Sequence, residues 1–215
     1  MSYPQFRNKH VEEALFDPGD YITYKSVIGK IPKKIILVYS DRLFKYLEKN
    51  YKLKKIKIYS LLTVYSCGKI GFVKFSGIGS SYVSALLEEL IFLGGKEFLN
   101  IGIAGGLFKE GIFLCNKAIR DEGTSYHYLP HGQFVLPNKQ LTKRFGNSIK
   151  KLNLEYEEGI TWTIDAPYRE TKAEIKHFKK MGVKTVEMEA SALFAVAKFR
   201  KVKISSPKSA AQSVI

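Results

Sequence analysis

The segment VEMEASALFAVAKF, from Val186 to Phe199, places two carboxylates in front of a stretch that is otherwise almost wholly apolar. After Met188, only Glu189 and Ser191 carry polar side chains before Lys198 is reached. The pattern therefore predicts a helix that is buried on all sides. An ionised carboxylate in such surroundings is unfavourable unless another group satisfies it, so Glu189 needs a partner.

The sequence leaves two interpretations of these carboxylates open. Glu187 and Glu189 can complement the positive end of the helix dipole or pair with a structural arginine. Alternatively, Glu189 accepts hydrogen bonds from the hydroxyl groups of a bound ligand. The second interpretation would make this segment part of a functional site.

The composition bounds both the fold and the partners of the chain. Its 215 residues are 45% hydrophobic with no break in composition, which predicts one α/β domain over residues 1–215. The 35 Lys and Arg exceed the 20 Asp and Glu by 15, but the lysines are spread along the chain. We therefore expect no nucleic-acid partner, although the net charge is strongly positive.

Membrane insertion, secretion and metal binding are also not expected. The sequence contains no apolar run of about 18 residues, and its N-terminus is polar. Cys67 and Cys115 lie in apolar surroundings without metal-ligand spacing, which predicts reduced, buried thiols in a cytoplasmic protein. His127 and His131 adjoin Pro130, which disfavours the helical register of a metal pair. We expect no metal and no cofactor.

Two glycine clusters follow predicted strands. The strand Ile70–Ser76 leads into Gly77–Ser81 ahead of a helix, and the strand Glu97–Ile101 leads into Gly102–Gly106. Because loops at the carboxyl ends of strands bind ligands in open α/β sheets, both clusters should face one crevice. The first cluster is not the dinucleotide-binding fingerprint, because Tyr82 stands at the position of its last glycine.

Two later segments carry further functional groups. The loop from Arg120 to Pro130 is rich in polar and aromatic side chains, and it is an ordered loop, a subunit contact or part of a site. Tyr168 and Arg169 follow the predicted strand 156–165 and can offer a hydroxyl and a planar fork to the carbonyls of a heterocycle. Trp162, within that strand, is expected in the core.

Three motifs in this order resemble the nucleoside phosphorylase family, which includes uridine phosphorylases and hexameric purine nucleoside phosphorylases. They are FDPGD (16–20), GIGSSYVSALLEELIFLGGKEFLNIGIAGGL (77–107) and VEMEASALFAVAKFR (186–200). The segments RDEGTSYHYLP and WTIDAPYRET are similar to the uridine phosphorylase side of the family. The resemblance spans residues 10–203 and implies a three-layer phosphorylase/hydrolase-like α/β fold with a central mixed β-sheet. It also implies a homo-oligomer, commonly a trimer of dimers with active sites at the dimer interface.

The resemblance implies roles for individual residues. Glu189 matches the carboxylate that holds the ribose hydroxyls, and Met188 matches the side chain that packs under the sugar. His10 resembles a histidine that reaches the 5′-hydroxyl in a neighbouring subunit. Ala104 and Gly105 match the loop that lies against the base and the sugar.

The base contacts implied by the resemblance differ from those of many relatives. The aromatic residue that stacks on the base in those relatives aligns with Pro167, so stacking would fall to Tyr168. Recognition of the base carbonyls would fall to Arg169.

The phosphate-binding positions depart most from the family pattern. Gly19 is retained, whereas two arginines and a hydroxyl of relatives are replaced, in chain order, by Thr23, Asn100 and Ile103. The phosphate is thus expected beside Gly19, Asn100 and Ile103 without the guanidinium contacts, each of which is worth about 1.5 to 3 kcal/mol. Phosphorolysis would then require a cation from Lys25, Arg42 or a neighbouring subunit.

The C-terminal segment departs as well. Relatives continue through a strand into a Ser-Asp pair and a closing helix, whereas this sequence reads KVKISSPKSAAQSVI over residues 201–215. Pro207 is expected to interrupt the strand pattern, and the fold is predicted to be shortened at its C-terminus. The missing Asp argues against protonation of a purine.

Three hypotheses of function remain. The first, favoured by the breadth of the match, is a uridine phosphorylase that converts uridine and phosphate into uracil and ribose 1-phosphate. The second is a nucleosidase that uses water, because hydrolytic members of the family also lack the arginines and carry AGG, as in 104–106. The third is a nucleoside-binding relative without catalytic activity.

Overall fold

The computed structural model describes residues 3–6, 8–24 and 30–213, which form a mixed α/β fold. The described helices are α1 Pro18–Tyr24, α2 Asp41–Asn50, α3 Ser80–Phe92, α4 Lys139–Lys151, α5 Lys172–Lys180 and α6 Ala190–Phe199. The described strands are β1 Lys34–Val38, β2 Lys54–Tyr59, β3 Leu62–Cys67, β4 Ile70–Lys74, β5 Glu97–Gly106, β6 Gly111–Asp121, β7 Phe134–Val135, β8 Glu157–Ile164, β9 Val183–Glu187, β10 Lys203–Ser205 and β11 Pro207–Ser213. Within these described ranges, no helix is both long and apolar enough to cross a membrane.

The described strands join into one mixed sheet, and β5 is its central element. The strand order is β11-β6-β8-β9-β5-β1-β4-β3-β2, with β7 beside β6 and β10 beside β5. The first half of β5 pairs in parallel with β1 and β10, and its second half pairs with β11 and β9. Because β11 also pairs with β6, the strands β5, β11, β6, β8 and β9 close into a ring. The predicted central mixed sheet is therefore confirmed.

The second glycine cluster is part of a strand, which corrects the prediction of a loop. Gly102–Gly106 continues β5, because Lys208–Ser213 and Thr185–Val186 supply hydrogen-bonding partners on its two sides. Small residues suit this position: a Cβ atom on Gly106 would lie 2.3 Å from the carbonyl oxygen of Lys109. This strand could not be predicted from local sequence, because a glycine-rich strand is stabilised by pairing with neighbouring strands rather than by its own propensity.

The strand pattern is interrupted just before Pro207, as expected, because β10 ends at Ser205, but a new strand then follows. Pro207 is the first residue of β11 and lies opposite Leu114 of β6. Proline is tolerated at the first position of a strand, because a missing N–H there costs the ladder least. The residues that follow, up to Ser213, complete the ring of strands between β5 and β6.

The apolar helix begins later than the segment Val186–Phe199 suggests. Val186 and Glu187 still belong to β9, and the first helical residue of α6 is Ala190. From Ala190 to Ala197 every residue is buried, as the pattern predicts. Glu189 is therefore the residue that precedes the helix, and its side chain is not on a helical face.

Two apolar clusters hold the helices against the sheet. The larger contains Phe98 of β5 and Phe194 of α6, both almost fully buried. The second contains Trp162, whose ring lies 4.4 Å from that of Phe178 and whose indole N–H donates to Asp121. The predicted core position of Trp162 is thus confirmed. Of the two thiols, Cys115 is buried as predicted and Cys67 is only half-buried.

The role of β11 can be tested with two neighbouring substitutions on that strand. Ala210 is buried opposite Ala104, whereas Ser209 is exposed. We expect Ala210→Lys to lower the free energy of unfolding by about 3 kcal/mol or more, because it buries an unpaired charge and overpacks the strand. The matched control Ser209→Lys should change it by about 0.5 kcal/mol or less. Urea unfolding of the two variants would measure this, and equal stabilities would contradict the placement of β11.

Candidate active site

A cavity of about 760 Å³ lies where β1 and β9 end, beside the second half of β5. Ile78 of the first glycine cluster and Gly102–Gly105 of the second both line it, so the prediction that the clusters face one crevice is confirmed. The full lining is Tyr39, Ser40, Ile78, Gly102, Ile103, Ala104, Gly105, Pro167, Glu170, Val186, Glu187, Met188 and Glu189.

Glu189 is held at the cavity wall by the first glycine cluster. Its Oε1 accepts a hydrogen bond of 2.9 Å from the backbone N–H of Gly79. Gly79 has φ 96°, which a residue with a side chain rarely adopts, so glycine is required for this N–H to point at the carboxylate. The hydroxyl of Ser80 donates to the carbonyl of Met188 at 2.7 Å. These two bonds join the starts of α3 and α6.

Lys208 supplies the cation that the two carboxylates require. Its Nζ lies 2.9 Å from Oε2 of Glu187 and 3.6 Å from Oε2 of Glu189, and its side chain is 1% exposed. Gly102 leaves room for this ammonium, since a Cβ atom there would lie 3.1 Å from Nζ. The internal cation that the first interpretation requires is therefore present, as a lysine rather than an arginine. The carboxylate of Glu189 has internal partners and also lines an open cavity.

Glu187 fulfils the structural alternative that the sequence left open. Its Oε2 accepts from the backbone N–H groups of Glu189 and Ala190 at 3.1 and 2.8 Å, at the N-terminus of α6. Its Oε1 accepts from the hydroxyl of Thr163 at 2.6 Å. A carboxylate at this end of a helix is favoured by the exposed N–H groups and by the helix dipole. Glu187 thus stabilises the start of α6. Glu189 is the carboxylate with fewer hydrogen-bond donors.

The electrostatics of the cluster follow from burial and from these pairings. Burial raises the pKa of Glu189, and Glu187 raises it further, while Lys208 and the N–H groups of Gly79 and Met188 lower it. Burial alone would lower the pKa of Lys208, but Glu187 and Glu189 outweigh it, so the net shift is upward and the ammonium keeps its proton. Burial and the two carboxylates raise the pKa of Tyr39 well above its ordinary value, which keeps its hydroxyl neutral.

Five of the residues predicted for the site lie together in the cavity wall. They are Ile103, Ala104, Gly105, Met188 and Glu189. Among these, Glu189 is the polar side chain, and Ile103 is apolar and 60% exposed. Four residues predicted against the ribose and the base, and one predicted near phosphate, therefore lie together, and their contacts with a ligand stay a prediction.

The two residues predicted to contact the base are not in this wall. Tyr168 is 99% exposed, and Arg169 is exposed beside it on the short 3-10 helix Pro167–Arg169. Pro167 and Glu170, which flank them, line the cavity instead. Base contacts by Tyr168 and Arg169 stay a prediction.

Two of the three residues predicted near phosphate, Gly19 and Asn100, have other partners. The N–H of Gly19 donates to Asp17 at 2.6 Å, and the amide of Asn100 donates to the hydroxyl of Ser206 at 3.0 Å inside the sheet. Neither residue lines the cavity, and a Cβ atom on Gly19 would meet the ring of Phe92. Their predicted contact with phosphate therefore gains no support.

The remaining residues predicted for the site lie away from the cavity or outside the residues that the structure describes. His10 is half-buried in the 3-10 helix Lys9–Val11, and its contact with a neighbouring subunit stays a prediction. Arg42 is exposed on α2, and Lys25 lies outside the described residues. Among the described residues that line the cavity, three are acidic and none is lysine or arginine.

Several lining residues were not predicted from the sequence, for identifiable reasons. Tyr39 and Ser40 follow β1 directly, and the rule that ligands bind at the carboxyl ends of strands would have found them. The hydroxyl of Tyr39 is buried and has no hydrogen-bond partner among the described residues. Lys208 had no local signal, because its neighbours in the cluster are 21 and 19 positions away on other elements.

The loop from Arg120 to Pro130 is an ordered support of the site. Arg120 is buried, and its guanidinium donates to the hydroxyl of Ser125 and to the carbonyls of Leu129 and Pro130 at 2.8, 3.3 and 2.7 Å. It also lies 4.2 Å from the ring of Tyr126. The structural interpretation of this loop is therefore the one that the contacts favour.

A second set of contacts joins the same loop to the start of α6. The hydroxyl of Ser191 donates to Oε1 of Glu122 at 2.8 Å. The backbone N–H of Ser191 donates to the hydroxyl of Thr163 at 3.1 Å. Since Thr163 also donates to Glu187, the loop, β8 and the carboxylate pair are parts of one buried network.

Comparison with known proteins places the chain in a family. The model of the Phosphorylase superfamily matches residues 35–209, so the chain belongs to this superfamily. The uridine phosphorylase of Haemophilus influenzae is 26% identical over 175 residues, which are 73% of this chain and 69% of the relative. The uridine phosphorylase of Treponema pallidum is 25% identical over 179 residues, which are 76% and 69% of the two chains.

Solved structures share the fold at lower identity. A uridine phosphorylase from Vibrio fischeri has a TM-score of 0.75 at 22% identity, with 86% of this chain and 79% of that chain covered. An AMP nucleosidase from Bacteroides thetaiotaomicron has a TM-score of 0.74 at 22% identity and the same coverage. A 5′-methylthioadenosine/S-adenosyl homocysteine nucleosidase from Campylobacter jejuni has a TM-score of 0.70 at 20% identity, with 85% and 86% covered. These likenesses establish the fold alone.

The supporting role of Arg120 can be tested by a substitution that keeps its charge. We expect Arg120→Lys to lower the free energy of unfolding by about 1 to 3 kcal/mol, because an ammonium cannot reach all three acceptors of the guanidinium. The same substitution at Arg144, which is 59% exposed and pairs only with Glu97 in the described contacts, should change it by about 0.5 kcal/mol or less. Thermal and urea unfolding would measure both. A stability loss at Arg144 equal to that at Arg120 would contradict the assignment.

Proposed function

We propose that this member of the Phosphorylase superfamily cleaves the N-glycosidic bond of uridine or a related nucleoside, with Glu189 accepting hydrogen bonds from the ribose hydroxyls. The observation that carries the proposal is the cavity wall in which Met188 and Glu189 adjoin Ala104 and Gly105. The names of the curated relatives support uridine as the nucleoside.

The chemistry of N-glycosidic cleavage suits an acidic cavity. As the bond breaks, positive charge builds on the ribose ring, and a fixed carboxylate nearby stabilises that charge. Glu189 is almost fully buried, so its charge acts through a low dielectric and needs little reorganisation. Gly105 leaves space for close approach of the ligand, and Met188 offers an apolar surface to the sugar.

Phosphate is the first candidate for the nucleophile, on the strength of the relatives' names. Because no lysine or arginine stands in the described lining, phosphate would need a cation from elsewhere. We propose a homo-oligomer, built from dimers and in the family's manner a trimer of dimers, in which a neighbouring subunit supplies it. His10 would reach the site of its neighbour in the same assembly.

Water is the second candidate, and one specific observation favours it. The lining carries the carboxylates of Glu170, Glu187 and Glu189, and the ammonium of Lys208 is already paired with two of them. Water needs no cation for binding, whereas a phosphate dianion would be repelled by such a wall. A nucleosidase would therefore need nothing from a second subunit to hold its nucleophile.

The nucleophile can be identified from the products. Uridine is incubated with the purified full-length chain in phosphate-free buffer and in buffer with phosphate, and uracil, ribose and ribose 1-phosphate are quantified. Release that depends on phosphate and yields ribose 1-phosphate establishes phosphorolysis, and release of free ribose at the same rate without phosphate establishes hydrolysis. Binding of uridine without turnover would support the non-catalytic hypothesis. Absence of both binding and turnover across a panel of nucleosides would overturn the proposal.

The role of Glu189 can be tested against a carboxylate of equal burial. We expect Glu189→Gln to lower kcat/KM by about 100-fold or more, because it removes the charge that faces the ribose. Glu89→Gln is the matched control, since Glu89 is 8% exposed where Glu189 is 6% exposed, and it bonds to Tyr59 outside the cavity. Kinetics with the nucleoside identified above would measure both variants. Equal activity of Glu189→Gln and the wild type would rule out the assigned role.

A further inference from the structure

The least expected group beside the cavity is the buried ammonium of Lys208. It reaches the carboxylates from β11, on the side of β5 where Gly102 has no side chain. Its distances of 2.9 and 3.6 Å show that Glu187 is the nearer partner and Glu189 the second. The proposed function above does not use this lysine in any step.

The ammonium of Lys208 affects the protonation of Glu189, because the two carboxylates have different numbers of partners. Glu187 accepts three hydrogen bonds, from the hydroxyl of Thr163 and from the N–H groups of Glu189 and Ala190, and it also pairs with Lys208. Glu189 accepts a hydrogen bond from Gly79 and lies farther from the ammonium. Without the ammonium of Lys208, a second ionised carboxylate beside Glu187 would be strongly unfavourable in this buried position. Glu189 would then be the one that takes up a proton, because it has fewer donors.

We propose that Lys208 is a positioning residue of the site, whose ammonium keeps Glu189 ionised and aimed at the ribose. The inference rests on the proposed function, because it concerns the state in which Glu189 meets a nucleoside. A protonated Glu189 would offer one acceptor oxygen fewer and no negative charge toward the ribose ring. Lys208 thus acts on the reaction through Glu189 and does not itself touch the substrate.

No other described group takes over this role of Lys208. Tyr39 and Cys115 face the cluster from the end of β1 and from β6, and burial raises the pKa of both, that of Cys115 to about 12, so both are neutral near pH 7. Tyr82 on α3 interacts electrostatically with Tyr39, and Glu170 is a further carboxylate in the cavity lining. None of these side chains can supply a positive charge.

The direction of the pH effect follows from these charges. Burial and Glu187 raise the pKa of Glu189, and Lys208 opposes them. Without the ammonium the pKa of Glu189 rises further, so the carboxylate becomes protonated at a higher pH. Ribose binding that depends on the charged form is then lost at a higher pH than in the wild type, and the acid limb of the pH profile moves upward.

The experiment measures uridine binding and kcat/KM from pH 5 to 9 for the wild type, Lys208→Met, Lys208→Arg and the double variant Glu187→Gln/Lys208→Met. We expect Lys208→Met to move the acid limb to higher pH, so that at a pH below both limbs kcat/KM falls about tenfold for each pH unit of displacement. Lys208→Arg keeps the charge and should keep the limb near that of the wild type. The double variant removes the neighbouring carboxylate with the lysine and should restore the limb toward the wild-type position. Lys203→Met, at an exposed position of β10, is the matched control.

Two results would overturn the inference. One is a folded Lys208→Met variant whose acid limb coincides with that of the wild type, whatever its overall rate. Lys208→Met could fail to fold, because it leaves two buried carboxylates unpaired. In that case the deciding variant is Lys208→Arg, which keeps the positive charge. A folded Lys208→Arg variant whose acid limb is displaced upward as expected for loss of the charge would also overturn the inference.

A readout without substrate separates this inference from the proposed function. The Glu189 carboxyl is titrated by carbon NMR in the ligand-free protein, with its signal assigned from Glu189→Gln. A higher pKa in Lys208→Met, and a lower one in the double variant than in Lys208→Met, supports the inference even if no nucleoside is cleaved. A pKa of Glu189 that is unchanged in Lys208→Met sinks it even if the wild type is an active enzyme.

Discussion

The ammonium of Lys208 between Glu187 and Glu189 is the interaction on which the site depends. It connects β11 to the end of β9 and to the start of α6, three elements that meet only in the folded chain. Two carboxylates two positions apart at a buried helix start would repel each other without a cation. The last strand therefore does more than complete the ring around β5, because it also carries the charge that lets the acidic wall form.

The same interaction explains why the cavity is acidic and still compatible with a stable fold. Glu187 accepts hydrogen bonds from the backbone N–H groups at the start of α6, and Lys208 offsets one negative charge of the two carboxylates. The cavity is then lined by the carboxylates of Glu170 and Glu189, by the apolar side chain of Met188 and by the second half of β5. Such a surface suits a ligand rich in hydroxyl groups that becomes electron-poor as it reacts, and it is a poor surface for a free anion.

The support of this wall is distributed over the whole chain. Gly79 holds Glu189 from the start of α3, and Thr163 holds Glu187 from β8. Arg120 orders the loop whose Glu122 accepts from Ser191 at the start of α6. Because each contact joins segments far apart in sequence, the precision of the site depends on the complete sheet and not on the local motif alone.

Several features could be predicted from the sequence because their causes are local. The apolar run after Glu189 predicts a buried helix, Trp162 is expected in the core, and the βαβ arrangement places the two glycine clusters at one crevice. The family resemblance rests on the same short motifs, and the match over residues 35–209 confirms it. Helix periodicity, hydrophobicity and the order of strands all act over short distances along the chain.

Other features were decided by the tertiary structure. Gly102–Gly106 is a strand because β11 and β9 pair with it, and Pro207 starts β11 because β6 lies beside it. Glu189 has an internal cation because Lys208 approaches from β11, 19 positions later in the chain. The sequence by itself determined which segments are buried and that the two glycine clusters meet at one cavity. The pairing of charges and strand edges was left to the fold, because those energies depend on distances that exist only after the chain has closed.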